Sequence, residues 1–286
     1  AAWAHGTDIE HASYHFAHAP GADEGHDSET AGSVRSATPE EIAELDPDLL
    51  IFNAAAPQPD DATDPSAREA ELERNRSIVE DVAESLRPLD PTPLLVVTNP
   101  IDRLVYDFYS LLGWPRRYFL GYSLSETARI ADGIADLVDA HRTDVYCPTM
   151  GEHGEHVVPV FSRASIAGDP ISLTREEQED IVDEILEIPF EIAEKRGIGD
   201  SSRWVSGAGL LRILRGLSSP DPTGPLCLSV PLDGEYGFTD GCLSIPVTLA
   251  EGGVSCTIEW DLTEEETSRI REAYEAVCGD IRRFDR

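Results

Sequence analysis

The chain has 286 residues, 41% of them hydrophobic, with 55 acidic against 22 basic side chains and a formal charge of −33. That length accommodates two domains or one large one, and the apolar share is too high for a disordered acidic segment. A charge so large and of one sign disfavours nucleic acid and anionic membranes as partners, and it destabilises the compact state unless salt screens it.

Lys195 is the single lysine, the other basic residues being arginine, and this acidic, lysine-poor surface indicates adaptation to a salt-rich cytoplasm. Five cysteines, widely spaced and without a C-x-x-C pair, suit reduced, buried thiols better than disulfides or a zinc site. No apolar run reaches the roughly 18 residues that a membrane span requires.

Residues 1–32 hold five of the eight histidines. His11, His15 and His18 fall at i, i+4 and i+7, one face of a helix. They could ligate a metal, but a solvated helix followed by a Gly/Asp/His loop over 21–29 is the simpler reading, and no metal is expected. From Ser33 an α/β pattern sets in. Ser33–Ala37 reads as a short strand, and Thr38-Pro39-Glu40-Glu41 as a capped helix start with proline at the first position. Asp48–Asn53 is an apolar run suited to a parallel strand buried on both faces. Pro57–Ala67, rich in Pro, Asp and Ala, reads as an exposed loop, and a helix is expected over Ala67–Leu86. Leu94–Thr98 is the next strand, ending at Asn99-Pro100; a helix over Asp102–Leu112 and a strand at Tyr118–Gly121 follow. This alternation predicts a parallel sheet wound with right-handed crossovers.

After Gly121 the character changes, which places a domain boundary there: 1–121 and 122–286. Glu126–His141 is amphipathic and helical, with Ile130, Ile134 and Val138 on one stripe. Strands are expected at Val145–Thr149 and Val157–Ile166, then a long acidic helix over Arg175–Arg196 that Pro189 should kink. A helix around Gly207–Leu217 precedes strands at Leu226–Pro231, Cys242–Leu249 and Val254–Trp260. Thr263-Glu264-Glu265-Glu266 opens a closing helix that runs to about Phe284. The second half is therefore α+β.

Between the strands expected at 145–149 and 157–166 lies Met150-Gly151-Glu152-His153-Gly154-Glu155-His156, followed by Val157-Val158-Pro159-Val160-Phe161-Ser162. An imidazole set between glycines can approach a ligand closely and exchange a proton near neutral pH. GEHG ahead of VPVFS resembles the active-site histidine segment of the lactate/malate dehydrogenase family. Four further segments resemble that family's landmarks in the same order: Arg68 beyond the loop, Val97-Thr98-Asn99-Pro100-Ile101-Asp102, Glu126-Thr127-Ala128-Arg129, and Asp233-Gly234-Glu235-Tyr236-Gly237 with the strands after it.

The resemblance implies a Rossmann-type sheet followed by an α+β substrate domain. It also implies hydride transfer between a nicotinamide cofactor, NAD or NADP, and a small 2-hydroxy acid. Malate/oxaloacetate is favoured and lactate/pyruvate is next. His153 would carry the hydroxyl proton, Glu126 would pair with it, and Arg68 would polarise the substrate carbonyl. Arg129 would clamp the substrate carboxylate, and Asn99 would stand beside nicotinamide and substrate. Gln58 aligns with the specificity position of the lid, Gly199 with a small polar substrate residue, and Ala55 with a cofactor-side glycine. Homo-oligomers, dimers or tetramers, are likewise implied by the family.

Several positions depart from the family's pattern. Glu126 stands where aspartate is usual, which displaces the carboxylate by on the order of 1 Å. Gly199 lacks a polar side chain, with Ser201 and Ser202 nearby. No G-x-G-x-x-G occurs anywhere in the sequence. The family's first βαβ unit, with its phosphate-cradling glycines, is not in these residues, so the chain is expected to be N-terminally incomplete. The alternative is a non-catalytic relative that keeps the substrate-side fold as a binding or assembly module.

Overall fold

The computed structural model describes residues 2–17, 33–56, 65–196 and 203–284. The chain divides into two compact units, 1–46 and 47–286. The first carries α1 (Ala2–Ala17) and a 3-10 turn at Pro39–Glu44, where Glu41 reaches back to accept the Thr38 amide at 2.6 Å. The strand expected at Ser33–Ala37 does not form, and that segment is irregular. A strand needs a neighbour for its amides and carbonyls, and among the described residues this segment has no ladder partner. His11 is exposed, while the side chain of His15 and all of His18 lie outside the described residues.

The second unit begins with β1 (Leu50–Phe52), α2 (Pro65–Leu86), β2 (Leu94–Val96), α3 (Ile101–Leu112) and β3 (Phe119–Gly121). Every residue of β2 and β3 is buried, as expected of parallel strands covered on both faces. The register is parallel throughout, Leu50 opposite Leu94 and Leu94 opposite Phe119. Proline starts α2 at Pro65, where a missing amide costs nothing. Gly113, at a φ of 63°, closes α3.

The expected helix at 126–141 is α4 (Ser125–Val138), ended by Asp139 in the left-handed region at φ 52°. The expected strand at 145–149 is divided into β4 (Val145–Tyr146) and β5 (Thr149–Gly151), with Pro148 between them. These two join different sheets. Likewise the strand expected at 157–166 is β6 (Val157–Pro159), a 3-10 turn at Phe161–Arg163, and β7 (Ser165–Ile166), which pairs with β4 and with β8 (Asp169–Pro170). Then come α5 (Arg175–Arg196), continuous through Pro189, α6 (Trp204–Leu217), β9 (Thr223–Asp233), β10 (Thr239–Ala250), β11 (Gly253–Thr257) and α7 (Glu264–Phe284).

The main sheet runs β1-β2-β3-β9-β10-β5-β6, with β11 added to β10. Its parallel part joins its antiparallel part at one seam, Gly121 of β3 opposite Ser229 of β9. Glycine is required there. A Cβ on Gly121 would stand 2.8 Å from the Ser229 Cβ and 2.8 Å from Val105 Cγ2 of α3. The first turn of α3 therefore lies directly over the seam, and this close approach sets what α3 can reach on the antiparallel side. A second cluster, including Ile130, Ile134, Val157, Phe161 and Ile181, packs α4 and α5 over β6.

Candidate active site

Two strand ends are tied together by one buried amide. Asn75, in α2 and fully buried, accepts the Ala56 amide at 2.8 Å and donates to the Asn99 carbonyl at 2.8 Å. Thr98 adds a bond to the Ala54 carbonyl at 2.9 Å. The carboxyl ends of β1 and β2 are thus locked side by side, with Ala55 and Asn99 exposed beyond them. Ligands in open α/β sheets bind beyond such strand ends.

The histidine sits in the turn between β5 and β6. Its Nδ1 lies 2.9 Å from Glu126 Oε2, and Arg129 Nη1 lies 3.3 Å from Glu126 Oε1. These two residues are one helical turn apart at the start of α4, so one carboxylate can serve both partners. All three side chains are close to 90% buried, at 13%, 10% and 12% exposure for His153, Glu126 and Arg129. Burial alone pushes Glu126 upward, but the His153 imidazole and the Arg129 guanidinium outweigh it and hold the carboxyl below its usual range. Burial likewise opposes the imidazolium form of His153. The adjoining Glu126, with Asp102 further off, outweighs both burial and Arg129, and the imidazole binds its proton more tightly than usual. With Nδ1 turned to Glu126, Nε2 is the ring nitrogen left for a ligand's proton.

Tyr122 flanks the ring. Its phenol meets the imidazole edge-on with centroids 6.4 Å apart, and its hydroxyl bonds the Ser125 hydroxyl at 3.0 Å and the Val205 carbonyl at 3.2 Å. That last bond ties α6 to the segment just before α4. Gly209 makes the fit possible, since a Cβ there would come within 2.6 Å of the Tyr122 oxygen.

Beneath the histidine turn lies the first turn of α3. Asp102 Oδ2 accepts the His153 backbone amide at 2.8 Å, and its Oδ1 accepts the Ser229 hydroxyl at 2.6 Å. The next residue, Arg103, pairs with Glu152 and, through Nε at 2.6 Å, with Asp280 of α7. Glu152 also accepts the His156 amide at 3.2 Å, closing the turn on itself.

Of the residues the sequence singles out, the structure brings His153, Glu126 and Arg129 together. Asn99 stands at the end of β2, three residues before the aspartate that holds His153. Arg68 falls within α2, but its side chain lies outside the described residues, as do Gln58 and Gly199 entirely. Asn75, Tyr122, Asp102 and Arg103 escape the sequence reading. For Asp102 and Arg103 a signal exists: both are charged, and both begin a helix whose other early residues are apolar.

The nicotinamide end of a dinucleotide suits what is present, two locked strand ends with the exposed Asn99 beyond them. The sequence offers no glycine loop for the pyrophosphate. A parallel sheet continued by an antiparallel one, with an imidazole–carboxylate–guanidinium cluster beyond it, defines a mixed α/β protein equipped to exchange a proton with a bound anion.

The relationships agree with that class. A sequence model of the lactate/malate dehydrogenase alpha/beta C-terminal domain matches residues 126–283. The malate dehydrogenase of Pyrobaculum aerophilum is 33% identical over 234 residues, covering 80% of this chain and 74% of that protein. Among solved structures, the malate dehydrogenase from Aeropyrum pernix superposes with a TM-score of 0.82 at 26% identity, over 98% of this chain and 86% of the other. The minor L-lactate dehydrogenase from Enterococcus mundtii, at 23% identity and a TM-score of 0.76 over 87% and 80% of the two chains, shares the fold. This chain belongs to the lactate/malate dehydrogenase family, whose members are 2-hydroxy acid oxidoreductases.

Proposed function

We propose that the chain interconverts malate and oxaloacetate with NAD, using His153 as the proton carrier. The observation that carries this reading is the shared carboxylate of Glu126, 2.9 Å from the imidazole and 3.3 Å from the Arg129 guanidinium. When bound, the nicotinamide supplies or receives the hydride. His153 gives its proton to the carbonyl oxygen in reduction and recovers it in oxidation, and Glu126 stabilises the imidazolium meanwhile. Arg129 clamps the substrate carboxylate, a planar fork meeting two oxygens, and so orients the reacting carbon. Arg68 supports charge developing on the carbonyl oxygen. Asn99 stands beside nicotinamide and substrate, Ala55 is assigned to the cofactor side, and Gln58 and Gly199 are assigned by the family's motif order to substrate recognition.

In this reading, residues 1–121 belong to the cofactor half and 122–286 to the substrate half, the latter supported by the family match over 126–283. Malate is preferred because the Pyrobaculum and Aeropyrum relatives are malate dehydrogenases, whereas Gln58 favours lactate. The reading carries with it a salt-rich cytoplasm, suggested by the charge, and a dimer or tetramer, as in the family. Among the described residues no helix is long and apolar enough to cross a membrane.

The deciding assay follows NADH oxidation in molar KCl with oxaloacetate and with pyruvate. Oxaloacetate should be reduced faster, and His153→Asn should abolish turnover with the circular dichroism of the fold preserved. Faster reduction of pyruvate would reassign the substrate. No turnover with either acid would favour a non-catalytic binding module.

A further inference from the structure

We infer that Asp102 is a positioning residue for the proton carrier, coupling the first turn of α3 to His153 through the His153 amide and through its own charge. The inference rests on the reading of His153 as proton carrier. Asp102 is fully buried, yet both carboxylate oxygens are used: one for the His153 amide at 2.8 Å, the other for the Ser229 hydroxyl at 2.6 Å. A carboxylate in such a place costs desolvation energy that an asparagine would not. Seating the turn needs only an acceptor. The charge therefore calls for a reason of its own: of the two cationic groups it acts on, Arg103 is already paired with Glu152 and Asp280, which leaves the imidazole of the residue whose amide it holds.

Among the described residues, the following charged or titratable groups face the pair. Around His153 stand Glu126 and Arg129 from α4, Tyr122 from the segment before it, and Asp102 from α3. Around Asp102 stand Arg103 on its own helix, Glu152 and His153 in the turn, and Cys242 of β10, besides the Ser229 hydroxyl. Glu152 and Arg103 are paired with one another, so their charges largely offset each other at Asp102. Burial, the largest influence, pushes the Asp102 carboxyl up to about 6 against the Ser229 and His153 bonds that favour its ionised form. Near pH 7 it is thus mostly ionised, and the neutral form takes over only as pH falls through about 6. Two carboxylates therefore act on one imidazole: Glu126 by contact, Asp102 through space and through the turn. Asp102 also stands three residues beyond Asn99, so the strand end that meets the ligand and the turn that carries the proton share one rigid helix start.

Asp102→Asn separates the two couplings. The amide oxygen can still accept from His153, and the amide nitrogen can donate to a rotated Ser229 hydroxyl, while the charge is gone. The full chain, labelled at histidine and assigned with His153→Asn, is titrated by NMR. The expected result is a His153 midpoint moved to lower pH in Asp102→Asn, with the alkaline limb of the oxo-acid reduction profile moved the same way. KM for the oxo acid should change less than about threefold, since no substrate contact is removed. A purely structural residue would lower the melting temperature and leave the imidazole titration where it was. That outcome overturns the inference. Should Asp102→Asn fail to fold, Ser229→Ala is the second variant. It removes a bond that favours ionised Asp102, so the His153 midpoint must again fall, and an unmoved midpoint sinks the coupling. The titration does not depend on turnover. A protein inactive on both acids but with an Asp102-dependent midpoint defeats the proposed reaction only, and an active one with an indifferent midpoint defeats the coupling only.

Discussion

Replacing Glu126 with glutamine keeps the size of the side chain and removes the charge 2.9 Å from His153 Nδ1. In a buried pair, removing one partner usually strands the other charge, at a cost of about 3–5 kcal/mol. Of the two cations Glu126 serves, His153 can shed its proton while Arg129 cannot, so the His153 share of the loss should fall on chemistry more than on folding. A charge-assisted hydrogen bond is worth roughly 1.5–3 kcal/mol, which converts at about 1.4 kcal/mol per factor of ten to a loss of roughly 10- to 150-fold in the reduction rate at neutral pH. The sign with pH follows from the directions of the two shifts. His153 binds its proton more tightly when folded, so its contribution to stability is complete below the imidazole's ordinary value and is lost as pH rises through the raised one. Glu126 is held below its ordinary value, so its contribution is present at neutral pH and is lost only as pH falls through the depressed one. Glu126→Gln should therefore flatten the stability profile at both ends and move the alkaline limb of oxaloacetate reduction to lower pH. Initial rates of NADH oxidation across pH, with melting temperatures on the same samples, test both. A variant with wild-type kcat and an unmoved limb would refute the account of the pair.

Three further outcomes are expected. Gly209→Ala places a methyl within 2.6 Å of the Tyr122 oxygen, so Tyr122 must shift against His153. Thermal denaturation should show a loss of about 1–3 kcal/mol, accompanied by a fall in kcat. Asn75→Ala leaves the Ala56 amide and the Asn99 carbonyl without their partner, costing about 1–3 kcal/mol for each group that stays buried, and KM for NADH should rise as the strand ends loosen. Raising KCl from tenths of molar to molar should raise the melting temperature, because the Debye length falls from about 10 Å to about 3 Å and the self-repulsion of a −33 chain falls with it. A melting temperature unmoved by KCl would refute self-repulsion of the excess charge as a significant cost to folding.

Sequence periodicity locates elements where one face of each is dry. Leu94–Val96, fully buried, and α4, with Ile130 and Ile134 inward, lie where the apolar pattern puts them. It fails where the pattern is continuous but the partner changes. Val145–Thr149 reads as one strand, yet Pro148 breaks it and its two ends serve different sheets. The joining of the two halves through Gly121 and Ser229 is a contact across 108 residues, and no local pattern encodes it. The site divides in the same way. His153, Glu126 and Arg129 are visible because motif order places them, and the structure brings their side chains within bonding distance. Asn75 and Tyr122 are not visible, and the charge of Asp102 at an apolar helix start marks the residue but not its partners, because each acts by reaching another element: Asp102 touches residues 51 and 127 positions away. Their role exists only in the packed state.

The acidity of the whole chain and the chemistry of its site pull in opposite directions. A dicarboxylate approaching a −33 protein is repelled at long range, so the site must supply a local positive field. Among the described residues two cations meet there, Arg129 and protonated His153, and both lie against the carboxylate of Glu126. Counting Arg129, His153 and Glu126 alone, that cluster carries one net positive charge, and on the proposed reading Arg68 would add a second at the moment of reaction. Burial makes the small charge effective: near 90% occlusion these groups are poorly screened, whereas the acidic surface, fully wet, is screened within a few ångströms in concentrated salt. Salt therefore removes the repulsion and leaves the attraction, and a protein built this way loses little by being so negative. Arginine serves better than lysine at such a site, since its charge survives burial beside another cation while an ammonium would surrender its proton. The chain keeps its one lysine, Lys195, exposed near the end of α5, and every cation it places next to the histidine or beneath its turn is an arginine.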